Sequence, residues 1–262
     1  MVDLDGDTRL DFAVANGMGN VSVYLGNGDG TFKAGPATPA AGTGIAVGDF
    51  NGDRIPDLAL SSISSPQATV MLGKGDGGFE AGQPYAVAGM QEAIAAGDVN
   101  GDGHSEIVTA NVLNPGAITT ELVSCLSTNP AGLPGVFTGT GDSSLSVLLA
   151  KPAGGFEPQL AYLAGSSPDG VVIADFDQDG RADIASTAFR SNDLTILAGH
   201  GDGSFEPAGK YAVATGAQTI IVRDYDGDGL PDIAAPGGNA PDVSVLHNIS
   251  GRLAVAPAAA SP

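Results

Sequence analysis

The stretch "VGDFNGDRIPDLAL", residues 47–60, places Asp49, Asn51, Asp53 and Asp57 within nine positions and brackets them with two apolar runs. One such crowd of oxygen side chains would read as an ordinary exposed turn, because Asp, Asn and Gly favour turns. The chain repeats it. "DLDGDTRLD" begins at Asp3, "DFNGDRIPD" at Asp49, "DVNGDGHSE" at Asp98, "DFDQDGRAD" at Asp175 and "DYDGDGLPD" at Asp224. The starts lie 46, 49, 77 and 49 residues apart. Removing about 28 residues from the long interval restores a single period, the mark of a unit that stacks on copies of itself.

Other elements keep step with the acidic loops. "VSVYLGNGDGTF", "TVMLGKGDGGF", "SVLLAKPAGGF" and "TILAGHGDGSF" each follow a loop, and "VSVLHNISGRL" is a degenerate fifth copy. Within the second repeat, "GIAVGDF" reads as strand one, "DLALSS" as strand two, "ATVMLG" as strand three and "PYAVAG" as strand four. "KGDGGF" is a tight turn. Position ten of each unit is large and apolar (Phe12, Leu58, Ile107, Ile184, Ile233) and the next residue is small or β-branched. Both faces of strand two are therefore expected to be buried, as in sheets stacked face to face. No segment sustains a helical period, and Gly 40 with Pro 17 in 262 residues suits many turns.

The sequence thus predicts an all-β chain, a β-propeller of four-stranded antiparallel blades. A β-solenoid has shorter coils and fits less well. The blades divide at about 1–44, 45–93, 94–170, 171–219 and 220–262, with an insertion at 111–144, all in one domain. Only "MV" precedes Asp3, so the first blade lacks a strand one, and the tail "RLAVAPAAASP" supplies at best a fourth strand. About five repeats, forming part of a larger ring, are expected rather than a complete five-bladed propeller.

The net charge of −20 is informative because it is localised. The loops hold 18 of the 30 acidic residues, four each in the first, fourth and fifth and three each in the second and third. A dication in every loop would offset roughly ten charges. Such a surface argues against nucleic acid, which needs Lys and Arg along its phosphates. No run approaches the roughly 20 apolar residues of a membrane span, so membrane insertion is not expected. No signal peptide is recognised. Cys125 is alone, which excludes a disulfide framework within the chain. It reads as a small buried hydrophobe or as a thiol on a loop.

The loops carry a definite donor chemistry. Positions one, three and five are Asp3, Asp5 and Asp7; Asp49, Asn51 and Asp53; Asp98, Asn100 and Asp102; Asp175, Asp177 and Asp179; Asp224, Asp226 and Asp228. Position seven is Arg9, Ile55, His104, Arg181 or Leu230. Those side chains share no chemistry, so the useful group there is the backbone carbonyl. Position nine is always a carboxylate: Asp11, Asp57, Glu106, Asp183 and Asp232. The set is hard oxygen throughout and suits Ca²⁺, which takes six to eight oxygens, rather than Zn²⁺. Mg²⁺ fits less well, preferring a stricter octahedron with more water. An EF-hand is disfavoured because these loops join strands. The expected role is structural, with up to five Ca²⁺ ions each tying strand one to strand two.

These motifs resemble FG-GAP/VCBS repeats, the blades of the integrin alpha-chain propeller and of many secreted bacterial proteins. "VGDFNGDRIPDLAL", "AGDVNGDGHSEIV" and "GNGDGTF" carry the resemblance. It covers essentially the whole chain except the insertion. It implies a calcium-stabilised propeller of an extracellular or cell-surface protein, used for binding or adhesion. It also implies that positions one, three, five, seven and nine of each loop are the ligands. Thr8 and Arg54 stand where the other loops have Gly, which strains their backbones.

The expected function is an interaction module that binds a protein or glycan partner. An accessory carbohydrate-binding propeller of a secreted enzyme is the alternative, although the absence of Trp leaves few aromatic sugar platforms. The chain is not expected to be an enzyme, since no Ser-His-Asp, Cys-His or paired-carboxylate arrangement stands outside the loops. His104, His200 and His247 are scattered. Asp29, Asp76 and Asp202 are read as shaping hairpins. In a four-strand meander, the one-two and three-four turns share one rim. The variable two-three and four-one loops, and the insertion, share the other, and the partner is expected there.

Overall fold

The computed structural model of the chain describes residues 1–17, 19–112, 143–239, 241–249 and 253–255. The first sheet holds β1 (Phe12–Ala15), β2 (Asn20–Gly26) and β3 (Phe32–Pro39). The second holds β4 (Gly44–Gly48), β5 (Asp57–Ser61), β6 (Gln67–Met71) and β7 (Gln83–Ala86). The third holds β8 (Met90–Gly97), β9 (Glu106–Val112), β10 (Ser143–Leu148) and β11 (Leu160–Leu163). The fourth holds β12 (Pro168–Ala174), β13 (Asp183–Ala188), β14 (Asp193–Gly199) and β15 (Phe205–Ala212). The fifth holds β16 (Ile221–Arg223), β17 (Asp232–Pro236), β18 (Val243–Asn248) and β19 (Leu253–Val255). In every sheet the strands lie in chain order, an up-and-down meander.

The first sheet has three strands. In place of a strand one it has a single bridge, Val2 to Asp11. The tail supplies a fourth strand to the fifth sheet, where Asn248 faces Leu253. The expected insertion gives up both its ends to the third sheet: Asn111 pairs with Ser144 and Val112 with Ser143. Residues 113–142, with Cys125 among them, lie outside the described residues.

Strand two explains the stacking. β5, β9 and β13 are buried at nearly every residue on both faces. Leu58, Ile107, Ile184 and Ile233 are 0 % exposed, as their place between two sheets requires. Four apolar layers form, one between each pair of successive sheets. Val21 and Val23 meet Leu58 and Met71; Ala59 and Val70 meet Ile107 and Leu148; Leu145 and Val147 meet Ile184 and Leu197; Leu194 and Ile196 meet Ile233 and Leu246. Burying a side chain of this size contributes about 1.5–3 kcal/mol. The strand-one elements β4, β8 and β12 run side by side on the inner edge. Sheets arranged in this way are the blades of a β-propeller.

Two rims follow from the meander. The acidic loops join strand one to strand two, and the Gly-rich turns join strand three to strand four on the same rim. Gly77, in the turn of the second blade, donates its N–H to Leu4 O of the first loop at 3.0 Å. On the other rim, two-three loops meet four-one loops. Gln91, fully buried, accepts the Ser62 N–H at 3.1 Å and donates Nε2 to Ser65 O at 2.7 Å.

Candidate metal centres

Each loop is wound by its own carboxylates. The position-one aspartate receives the N–H of position six at 2.8–3.0 Å in all five loops. In four loops it also receives the N–H of position four at 2.6–2.8 Å. Position three accepts the N–H of position five, and position five accepts that of position seven at 2.8–2.9 Å. The curl needs left-handed residues at positions four and six. Gly supplies most of them, but Gln178 (φ 61°), Thr8 (φ 70°) and Arg54 (φ 67°) adopt the same strained conformation.

Position nine behaves differently. Asp11, Asp57, Glu106, Asp183 and Asp232 are at most 1 % exposed. One oxygen of each receives the position-two N–H (Leu4, Phe50, Val99, Phe176 or Tyr225) at 2.7–2.9 Å. The other receives an N–H at the end of strand three: Gly26, Gly73, Gly199 and Asn248 at 2.7–2.8 Å, and Ala150 at 3.4 Å. The carboxylate therefore stitches the acidic loop to strand three before any ion is considered. The approach is tight. A Cβ on Gly73 would lie 2.3 Å from Pro56 O, and one on Gly199 2.1 Å from Ala182 O. Burial pushes Asp57 up to about 6 and Glu106 to about 7, against the pull of these N–H donors. Asp183 is raised for the same reason. At Asp232 burial also pushes upward, but the Asn248 and Tyr225 N–H bonds and His247 together outweigh it and lower the carboxyl.

The oxygens converge. Asp3, Asp5 and Asp11 place one oxygen each within 4.8 Å of one another, as do Asp175, Asp177 and Asp183, and Asp224, Asp226 and Asp228. In the second and third loops position three is an amide. Asn51 Nδ2 donates to Asp53 Oδ2 at 2.9 Å, and Asn100 Nδ2 to Asp102 Oδ2 at 3.1 Å. Position seven contributes its N–H in all five loops. Two of its side chains also neutralise position five: Arg9 reaches Asp7 at 3.1 Å and Arg181 reaches Asp179 at 3.1 Å. His104 rests on the second loop, since a Cβ on Gly52 would lie 2.6 Å from its Nε2. A cavity of about 320 Å³ adjoins the fourth loop and is lined by Asp177, Asp183, Phe176, Ile196, Tyr211 and Leu253.

His247 joins the fifth loop, which the sequence reading did not anticipate. Its Nδ1 lies 3.3 Å from both Asp226 and Asp232. The turn aspartates do shape hairpins. Asp29 accepts the Thr31 N–H, Asp76 that of Gly78 and Asp202 that of Ser204, each at 2.9 Å. The aromatic that closes the turn packs inward at Phe79 and Phe205, and at Phe156, whose turn has no aspartate. Phe32 stays exposed and meets Phe12 edge-on.

An all-β propeller whose one-two loops are repeated acidic coils defines a class, and comparison with known proteins gives its family. The chain belongs to the FG-GAP-like repeat family, whose model matches residues 3–60, 49–109 and 175–235, more than half of its length. No curated protein matches the sequence significantly. Solved structures similar to it include a functionally unknown protein from Desulfotomaculum acetoxidans, at 12% identity and a TM-score of 0.60, covering 94% of this chain and 65% of that one. The periplasmic gluconolactonase PpgL of Pseudomonas aeruginosa is similar at 12% identity and a TM-score of 0.59, covering 91% and 63%. A protein from Lactobacillus plantarum is similar at 11% identity and a TM-score of 0.54, covering 90% and 61%. The chain thus spans less than two thirds of the length of each. At these identities the likeness shows the fold alone. It nevertheless corrects the expectation that the chain is not an enzyme: a protein of this fold is a gluconolactonase, so the scaffold is compatible with catalysis.

Proposed function

We propose that the acidic loops bind Ca²⁺ and that the propeller is an extracellular, adhesion-type interaction module stiffened by those ions. The observation that supports this most is the convergence of hard oxygens from positions one, three and nine. Asp175 Oδ1 adds to it, a buried acceptor with no hydrogen-bond donor among the described residues. Such an oxygen is costly unless a cation meets it. The carboxylates and amides of positions one, three and five would hold the ion, with the position-seven carbonyl. Position nine adds charge while keeping the loop on strand three. When bound, the ion neutralises side chains that otherwise repel. Sites of this exposed kind are expected to be weak, on the order of 10⁻⁴–10⁻³ M, and to fill only where Ca²⁺ is abundant, hence the extracellular placement. The partner, a protein or a glycan, would occupy the opposite rim, whose loops vary between blades. The deciding experiment is thermal melting in saturating Ca²⁺ and in EGTA. A higher melting temperature in Ca²⁺ is expected, and superimposable curves would end the metal reading.

A further inference from the structure

Ahead of the strand-three residue that caps position nine, four blades carry Leu25, Leu72, Leu149 and Ala198; the fifth carries His247. This substitution changes how the loop's ligands group. In the first and fourth loops position nine clusters with positions one and three. In the fifth, Asp232 clusters with Asp226 and the imidazole, all three ligand atoms lying within 4.8 Å, while Asp224 and Asp228 form an exposed oxygen group with the same Asp226. The strand that presents His247 is fixed. Asn248 is fully buried, donates its N–H to Asp232 Oδ1 at 2.7 Å, and donates Nδ2 to Phe176 O of the preceding blade at 2.7 Å. Its Oδ1 has no partner among the described residues. The side chain of His247 is 30% exposed, which leaves an entry path for an ion.

We propose that the fifth loop holds a divalent transition-metal ion, bound by Asp226, Asp232 and the Nδ1 of a neutral His247. Imidazole nitrogen suits Zn²⁺, Co²⁺ and related ions, which bind mixed nitrogen–oxygen sets well above Ca²⁺ in strength; Ca²⁺ takes oxygens. Two carboxylates balance the charge of one such ion. Backbone N–H donors on both oxygens of Asp232 orient that carboxylate, as outer hydrogen bonds do around metal ligands. Asp226 and Asp232 also belong to the Ca²⁺ set of the fifth loop, so at this loop the transition-metal ion would stand in place of Ca²⁺, while the other four loops are not involved.

The test uses Co²⁺ as an optical probe, titrated into the full chain in saturating Ca²⁺ and followed by its visible absorption. The wild type should bind one Co²⁺ that Zn²⁺ displaces. The variants His247→Leu and His247→Gln, checked for folding by circular dichroism, should weaken that binding on the order of tenfold or more. Absence of the Co²⁺ band in the wild type, or an equal band in both folded variants, would overturn the proposal and leave His247 as an ion-paired imidazole. Ca²⁺ affinity of the other loops, measured in the same variants, should be unchanged. In the wild type, a Co²⁺ band that His247→Leu removes, with no Ca²⁺ binding by any other loop, would strike the calcium reading alone.

Discussion

Ser105 donates its backbone N–H to Asp49 O across 2.7 Å, and its Oγ accepts the Asp49 N–H at 3.2 Å. The first residue of the second loop is thereby held by the eighth residue of the third, from the next blade. A net hydrogen bond of this kind contributes about 0.5–1.5 kcal/mol. Ser105→Ala should lower stability by about that amount in urea melts while leaving the backbone N–H bond in place. A variant as stable as the wild type would show that the Oγ contact carries no weight.

Position nine and position five should respond in opposite ways to EGTA. Asp183→Ala leaves the Phe176 and Gly199 N–H groups buried without acceptors, at a cost of about 1–3 kcal/mol each. It should therefore destabilise the protein strongly even without metal. Asp179→Asn should be nearly silent in EGTA and should lower only the gain from Ca²⁺. If both variants lose stability only in Ca²⁺, position nine is a ligand and not a staple.

The metal-free protein should become more stable on mild acidification. Asp57 and Glu106 titrate in the fold at about 6 and about 7, above their ordinary values. A raised carboxyl binds its proton more tightly in the folded chain. Its contribution is complete below the unfolded value and is lost as pH rises through the folded one. In EGTA the melting temperature should thus rise from about pH 7.5 to about pH 5.5. If the loops bind Ca²⁺ as proposed, protons compete with it there, and the Ca²⁺-induced gain should shrink over that range. A gain that does not vary with pH would contradict this assignment.

Glycine at position six should matter through its backbone alone. Gly229 sits at φ 87° with open space where a Cβ would go. Gly229→Ala should cost about 1–2 kcal/mol, the penalty of a left-handed L-residue. Arg54→Ala, at φ 67° already, should change stability little. Equal effects from the two would point to a side-chain cause instead.

The blades were legible because their signals are local. Alternating carboxylates, the Gly-rich turns and the doubly apolar strand two each sit within about ten residues, and the period repeats them. What escaped needs register between strands. Asp57 meets Gly73, and Asp232 meets His247, only once strands two and three are paired. Two signals were available: the glycine recurring at Gly26, Gly73 and Gly199, and a histidine where the aligned repeats carry Leu or Ala. The role of position nine as a staple was hidden for another reason. A carboxylate that binds metal and one that binds backbone N–H groups look alike in sequence. Compatibility with catalysis was missed because a scaffold does not display its chemistry in its repeats.

The double anchoring of position nine also bears on ion size. With that carboxylate pinned to strand three, and position one pinned to the N–H groups of its own loop, the oxygens hold their spacing without an ion. Oxygens held in this way resist contracting around Mg²⁺, which demands them at about 2.0–2.1 Å, whereas Ca²⁺ accepts about 2.3–2.6 Å. The backbone, rather than the charge count, then acts as the sieve. Millimolar Mg²⁺ should leave the protein melting as it does in EGTA, and a Mg²⁺ gain equal to that of Ca²⁺ would mean that the loops close freely on the smaller ion.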